Sequence, residues 1–407
     1  LTADDQSDAL TVLIVIEAPI ATTQIVEQVI GACRHHGIRS FTRLLRELRA
    51  EEIGPNVLPL FIRCADPTSL HWAEALVGQG KPYLYYLDDD FWALNDGTPL
   101  SLYYSDPGVR RALDFFVGNA AAVLTNSQLL AAALMGRARA VEVLPTFFDF
   151  SQLADITVEA SDEIRIGFAG STSRAGDLEL VASMIQPLVR QFPHVVFEFV
   201  GAMPAGVSAG DRVRFFPTMN NYGDFIRFKS ARGWSIGLGP LRDRPANLAK
   251  TDNKFREYAA CRIAGVFSNL QPYTDVVADG VTGLLVENTA DAWREAITSL
   301  IADPHRRRSI ADAAYQHARE KYDLDRAAST WAEVIKKVSA PLRTGISKAV
   351  SADAIRRESS TVVFTNLWLR VRMTYAEGGG WLVARRATGV VTRRLVELVR
   401  GRRGPTP

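Results

Sequence analysis

Lys250, Lys254 and Glu257 fall in one short stretch, Lys250-Thr-Asp252-Asn253-Lys254-Phe-Arg-Glu257-Tyr258. Lys250 is expected in a loop and Lys254 and Glu257 in the first turns of a helix, where a spacing of three shares one face. Two cations and a carboxylate at the carboxyl end of a sheet could grip a diphosphate and a ribose diol. The alternative is a solvated helix start with an i,i+3 ion pair that contributes little. A second stretch, Gly167-Phe-Ala-Gly170-Ser171-Thr172-Ser173, follows an apolar run and opens a helical pattern. Backbone N–H groups at such a turn, with a helix dipole behind them, suit phosphate or pyrophosphate. Equally, glycine there could serve only a tight strand-to-helix turn. This is not GxGxxG.

A third group is acidic. Asp88-Asp89-Asp90 ends the run Tyr83–Leu87, and Arg63 ends the run Leu58–Ile62. A DxD-like triplet could hold a metal-bound sugar nucleotide. Alternatively, Asp89 or Asp90 could face a cleft and bind or deprotonate a substrate hydroxyl, or the triplet could be a solvated strand end. Arg63 could pair with these carboxylates or hold the substrate. The six histidines show no ligand spacing, and no HExxH or Ser/His/Asp constellation occurs. Cys33, Cys64 and Cys261 form no CxxC pair, which disfavours a zinc site or disulfide scaffold and suits a reducing compartment.

The elements that must position these residues alternate. Thr11–Ile16, Leu58–Ile62, Tyr83–Leu87 and Ala122–Leu124 are short apolar runs separated by helical patterns, the first from about Thr23 to His36 and closed by Gly37. The pattern restarts at Ile164, continues through Val195–Val200, a run near Val213, Ser235–Leu238, Gly265–Ser268 and Leu284–Val286, and ends in helical patterns at 290–301 and 304–321. Such alternation predicts an α/β fold with two Rossmann-like, doubly wound parallel sheets and a ligand in the cleft between them. The expected division is 1–150, a polar linker at 151–163, and 164–340.

Composition agrees: 407 residues, 47% hydrophobic and 23% charged, describe a globular chain of about two domains. The uncharged stretch Phe115–Gly136 carries Asn119, Thr125, Asn126, Ser127 and Gln128, which argues against a membrane span. Leu1 in place of Met suggests a fragment or processed form. The net charge of +2 conceals an asymmetry, since residues 341–407 hold 13 Lys and Arg against 4 Asp and Glu. There Trp368, Leu369, Trp381 and Leu395 are interspersed with Arg370, Arg385, Arg393 and others. A basic amphipathic tail of this kind suits an anionic membrane surface or a partner protein, or packs on the body with its arginines solvated. No reading motif accompanies the charge, so nucleic acid is not expected.

The run Lys254–Ser268 followed by Asp279–Val286 resembles the donor-binding domain of the family 4 glycosyltransferases of the GT-B fold, with their (K/E)FxEYxAxGxPVxxS and DGxTGLLV motifs. Arg262-Ile263 replaces the usual glycine-proline neighbourhood. Gly167–Asp177 is similar to the family's GxxGTxxHxxDL turn, with Arg174 where histidine is frequent. Phe61-Ile-Arg63, Lys81–Asp90, Ala121–Ser127 and Val143-Leu-Pro145 resemble a bacterial surface-polysaccharide branch. The resemblance spans about residues 10–338.

It implies a retaining, metal-independent transferase that moves a sugar from a nucleotide donor in the second half to a saccharide or lipid-linked saccharide acceptor in the first. Gly170, Ser171 and Thr172 would contact the diphosphate, Lys250 or Lys254 would offset its charge, and Glu257 would bind the ribose as the second glutamate of a Glu-x7-Glu motif. Arg174 and Asn247 would join the donor site, and Pro272 and Tyr273 would line the sugar-diphosphate pocket. Arg63 and Asp88 would hold the acceptor, with Asp89, Asp90 and Lys250 at the reacting centre. The first glutamate is replaced by Ala249. No cofactor is implied, and the expected location is the cytoplasm, including the inner membrane face. A catalytically idle glycan-binding module of the same fold is the rival reading. A sugar-nucleotide 2-epimerase has no supporting feature, and the missing GxGxxG disfavours an oxidoreductase.

Overall fold

The computed structural model describes residues 9–343. The first sheet is built from β1 (Thr11–Ile16), β2 (Arg39–Leu44), β3 (Val57–Ile62), β4 (Leu84–Tyr86), β5 (Ala122–Thr125) and β6 (Val141–Val143), all parallel, in the order β2-β1-β3-β4-β5-β6. Its helices are α1 (Ala21–Ala32), α2 (Leu70–Gly78), α3 (Pro99–Tyr104), α4 (Pro107–Asn119) and α5 (Gln128–Leu134). Helix α1 runs on as a 3-10 turn, Cys33–His36, and stops at Gly37 in the left-handed region (φ 78°), which glycine adopts without steric cost.

The second sheet repeats the plan. Strands β7 (Ile164–Ala169), β8 (Val195–Val200), β9 (Val213–Phe216), β10 (Ile236–Gly239), β11 (Ala264–Ser268) and β12 (Leu284–Val286) lie parallel in the order β12-β11-β10-β7-β8-β9. Helices α6 (Ala175–Gln191), α7 (Tyr222–Ala231), α8 (Pro245–Leu248), α9 (Asn253–Ala260), α10 (Ala290–Ala302) and α11 (Pro304–Lys321) accompany them. Inner strands of such sheets are covered on both faces, which is why they read as unbroken apolar runs. Glu198 of β8 and Arg165 of β7 are buried exceptions; Arg214, Arg232 and the Trp234 indole N–H hold the Glu198 carboxylate. The same arginines, with Arg165, bind Glu159 and Glu163, so the polar stretch before β7 is tied to the second sheet.

Helix α12 (Leu324–Arg343) does not stay with the second sheet. Its Ala328, Trp331, Ala332 and Ile335 are buried in one cluster with Val12, Ile14, Val29 and Ile30 of β1 and α1. The Trp331 indole N–H donates to the Pro145 carbonyl (3.2 Å), and Lys337 pairs with Glu142 (3.0 Å). Sequence order alone assigns these residues to the second half; burial of one alanine-rich face assigns most of this helix to the first. The basic tail beyond residue 343, with its expected membrane or partner contact, lies outside the described residues. No helix among the described residues is long and apolar enough to cross a membrane.

Candidate functional site in the cleft between the sheets

In each sheet the strand order reverses at one place, between β1 and β3 in the first and between β7 and β10 in the second. Connections leave in opposite directions there, opening a crevice at the carboxyl ends of the strands. Arg63 follows β3, Gly170 follows β7, and Arg242 to Lys250 follow β10, so the sequence-predicted residues gather at the two crevices.

On the first-half side, Arg63 has φ 54°, a left-handed conformation unusual for a side-chain-bearing residue. Its Nη1 lies 3.1 Å from Asp88 Oδ1 and 3.6 Å from Asp89 Oδ2, and the guanidinium sits 4.7 Å from the Phe91 ring centre. Thr22, at the start of α1, donates its hydroxyl to Asp88 Oδ2 (2.6 Å). Burial pushes the Asp88 carboxyl above the usual carboxylate range, against the pull of Arg63. Burial acts on Asp89 too, but Lys250 and Arg63 outweigh it and hold this carboxyl down at about 2. Two neighbouring carboxyls are thus driven apart, one toward the neutral form and one firmly ionised, a pattern found where acid and acceptor roles are divided. Asp90 is spent differently: its Oδ1 accepts the backbone N–H groups of Trp92 (3.0 Å) and Ala93 (3.1 Å), which fixes the following loop. The triplet therefore takes three distinct partner sets, and no metal-sized group of acidic, histidine or cysteine side chains occurs among the described residues.

Lys250 crosses the cleft and ion-pairs with Asp89 Oδ1. Both side chains keep some exposure, 22% and 15%, so a substrate in the cleft can reach them. Arg174 lies 3.1 Å from Asp177 Oδ2 and donates to Asn247 Oδ1 (3.1 Å), while Asn247 donates to Asp177 Oδ1. Ser171 and Thr172 are exposed on the turn beside it. Gly201 (φ 79°) brings its backbone against the Gly170 carbonyl so closely that a Cβ there would lie 2.4 Å from that oxygen. Gly167 has a packing reason: the Trp234 ring occupies the place of any Cβ. Of the two glycines in the turn motif, Gly170 alone borders the crevice.

Lys254 and Glu257 are not the solvated i,i+3 ion pair that their spacing also allows. Lys254 turns inward, donating to the Ala169 carbonyl (2.6 Å) and lying 4.4 Å from the Phe168 ring centre; burial and Arg174 depress its ammonium to about 7. Glu257 is buried and accepts from Lys229 and from the Tyr222 hydroxyl (3.2 Å). Tyr273 is buried against Phe267 with ring centres 4.8 Å apart, next to the cis peptide Gln271–Pro272.

Several contributors are not legible from spacing. Thr22 and Lys229 match no motif. Gln24 of α1 donates to the Asn220 carbonyl (2.9 Å) and accepts the Tyr222 N–H (2.6 Å), a second tie across the cleft. Their only sequence signal is polarity on helices that otherwise bury apolar faces.

Residues 254–317, from α9 into α11, match the family described as Glycosyl transferases group 1. Alpha-maltose-1-phosphate synthase of Mycolicibacterium smegmatis is 38% identical over 91 residues, which cover 21% of this chain and 24% of that protein. Among solved structures, the Anabaena protein HepE in complex with UDP superposes with a TM-score of 0.57 at 16% identity, over 81% of this chain and all of that one. The sucrose-phosphate synthase of Thermosynechococcus elongatus gives 0.58 at 15% identity, over 82% of this chain and all of that one. The fold is GT-B. Within it, the segment that carries α9 is similar to the group 1 glycosyl transferases over residues 254–317.

Proposed function

We propose that this protein is a retaining, metal-independent glycosyltransferase that takes a sugar from a nucleotide-sugar held by the second half to a saccharide or lipid-linked saccharide held by the first. The observation that carries this reading is the cleft-spanning pair Asp89–Lys250, flanked by Arg63 and Asp88 on one side and by Arg174 and the turn after β7 on the other. Glycosyl transfer develops positive charge at the anomeric carbon and negative charge on the departing diphosphate. Cations fixed in a partly closed cleft stabilise that separation better than water does.

In this reading, Lys250 and Arg174 face the leaving diphosphate. Gly170, Ser171 and Thr172 contact it from the turn, Asn247 orients Arg174, and Pro272 and Tyr273 close the wall behind the sugar. Asp89 accepts from the acceptor hydroxyl once Lys250 has turned to the donor, with Arg63 and Asp88 holding the acceptor. Asp90 supports this group by fixing its loop. Lys254 and Glu257 act from beneath the donor. Solved relatives of this fold bind UDP or UDP-glucose by their descriptions, which favours UDP as the nucleotide to try first. The branch-like motifs of the first half favour surface-glycan assembly (O-antigen, capsule or cell-wall polysaccharide) at the cytoplasmic membrane face.

The test is calorimetry against UDP, GDP, dTDP and CMP and their sugar conjugates, with and without EDTA. One nucleotide is expected to bind in an EDTA-insensitive way, and Lys250→Ala is expected to weaken it about tenfold, the scale of one charge-assisted contact. Binding abolished by EDTA would overturn the metal-independent reading. A second reading, the idle module, is favoured by Ala249 at the position of the first family glutamate. Nucleotide binding without turnover of any conjugate would support it.

A further inference from the structure

Asp252 closes the loop that carries Lys250 and stands at the N-cap of α9. An aspartate at that position ordinarily accepts a backbone N–H from the first turn of its own helix. Asp252 makes no such bond. Its Oδ1 accepts from Arg256 Nη1 (3.1 Å), one turn on, and its Oδ2 accepts the Tyr322 hydroxyl (2.6 Å), 70 residues later. The local capping bond is given up, and one carboxylate oxygen is committed to a contact across the fold. A cap that served only α9 would not need Tyr322.

Tyr322 stands where the halves are joined. It follows α11 of the second half and precedes α12, whose apolar face packs on the first. Its carbonyl accepts the Phe148 N–H (2.9 Å), so the two chain segments that pass between the halves are bonded to each other here. Its ring is fully buried, 6.5 Å from the Phe255 ring centre and 5.7 Å from the Arg256 guanidinium. Burial, and then the Asp252 carboxylate, push its phenol far above the ordinary tyrosine value, so the hydroxyl remains a donor. Hydrogen bonds from a hydroxyl to a carboxylate are shorter and stronger than neutral pairs, and the 2.6 Å separation is of that kind.

The segment 250–252 therefore has two anchors. The Lys250 N–H donates to the Asn247 carbonyl (3.2 Å) at one end, and Asp252 is bonded to Tyr322 at the other. Thr251, between them, donates to Asn253 Oδ1 (3.0 Å). With its backbone bonded to the crossing and its side chain to the loop, Tyr322 registers Lys250 on the joint between the halves. Lys250 reaches over the cleft to Asp89 of the other half, so a small shift at the base of this loop displaces its ammonium. We propose that Tyr322 is a positioning residue: acting through Asp252, it sets the base of the Lys250 loop so that the ammonium is held within reach of the leaving group. The hydroxyl itself, buried and bonded to Asp252, does not meet the substrate. The proposal rests on the transferase reading, which gives Lys250 the leaving diphosphate.

The experiment uses the full chain and Tyr322→Phe, which removes one hydroxyl and keeps the ring contacts and the carbonyl. Thermal unfolding first establishes that the variant is folded; should it not be, Asp252→Asn, which keeps the side-chain volume, takes its place in the same comparison. Binding is then measured for UDP by calorimetry and for uridine, which lacks the phosphates, by ligand-observed NMR (or for the nucleotide the screen selects and its nucleoside). UDP is expected to bind the variant about fivefold more weakly, and uridine to stay within about twofold of wild type. A merely structural loosening of the second half would weaken both alike. The second readout is a double-mutant cycle with Lys250→Ala, since no hydrogen bond joins Tyr322 to Lys250 among the described residues. The roughly tenfold loss from Lys250→Ala should shrink to about twofold in the Tyr322→Phe background, because the lysine is already displaced there. Equal weakening of UDP and uridine, full additivity in the cycle, or UDP affinity unchanged by Tyr322→Phe overturns the proposal. In each of those cases the wild-type protein still binds UDP, and the donor reading stands. If no nucleotide diphosphate binds the wild-type protein, the donor reading fails and this proposal falls with it.

Discussion

At the scale of single residues, Lys254 combines burial with a position beneath the turn after β7, to which the proposed function assigns the donor diphosphate. Its ammonium, depressed to about 7, is only partly protonated near neutral pH. A diphosphate in the crevice adds negative charge nearby and raises that value again. Between pH 7 and the usual lysine value of about 10.4, the free protein lacks a proton that the complex carries. Binding therefore takes up a proton and weakens as pH rises, by up to about tenfold per unit above pH 7. Titration calorimetry in buffers of different ionisation enthalpy should show this uptake with UDP, and Lys254→Met should remove it. A buffer-independent enthalpy in the wild type would take Lys254 away from the donor. The motif marked this lysine, but not its charge state: that depends on Phe168 and Arg174, which the fold brings against it from the strand and turn after Ile164. Likewise, Asp88-Asp89-Asp90 is visible in the sequence as a triplet, whereas the division of labour within it arises from Thr22, Arg63, Lys250 and the backbone of residues 92 and 93.

At the scale of elements, the inner strands were readable because burial on both faces leaves them continuous and apolar, as in Thr11–Ile16 and Val57–Ile62. Strand β2, RSFTRL, has one neighbour and an exposed start, so its polar residues hide it; the three-residue β6 at the opposite edge is hidden by its shortness. The two switch points, and with them the location of the site, follow from strand order, which alternation alone does not specify. Helix α12 shows the same limit. Its apolar stripe is plain, but which half it covers is decided by complementarity to β1 and α1, about 300 residues earlier in the chain. Trp331 is 1% exposed at the centre of that contact. Trp331→Ala leaves a large cavity and is expected to cost about 3–5 kcal/mol. Urea denaturation should show the loss in the transition of the first half. A cost below about 1 kcal/mol would mean that α12 is not integral to that core.

At the scale of the whole molecule, the cleft is held by ties at different places: Lys250 to Asp89, Gln24 to the start of α7, and the crossing of residues 145–148 with Tyr322 and Trp331. The last is a covalently anchored hinge with a buried core around it, whereas the first two are single polar contacts that a ligand can exchange. In the described arrangement Lys250 serves Asp89, so under the proposed function a nucleotide diphosphate draws it away before gaining its full charge. Part of the donor's binding free energy is then spent on opening that pair. Asp89→Asn leaves the loop and Arg63 in place but weakens the competing partner. UDP affinity is therefore expected to rise, by roughly two- to tenfold for an ion pair of this exposure. Transfer should fall on the order of a hundredfold or more, because the acceptor hydroxyl loses its carboxylate. The two effects have opposite signs, which distinguishes exchange of Lys250 from mere loss of structure, since a misfolded cleft would lose both. Small-angle scattering adds a second readout: without nucleotide, the variant should be less compact than the wild type, and UDP should bring the two together. If Asp89→Asn instead weakens UDP binding, the pair does not compete with the donor but holds Lys250 ready for it, and the cleft is closed before the donor arrives.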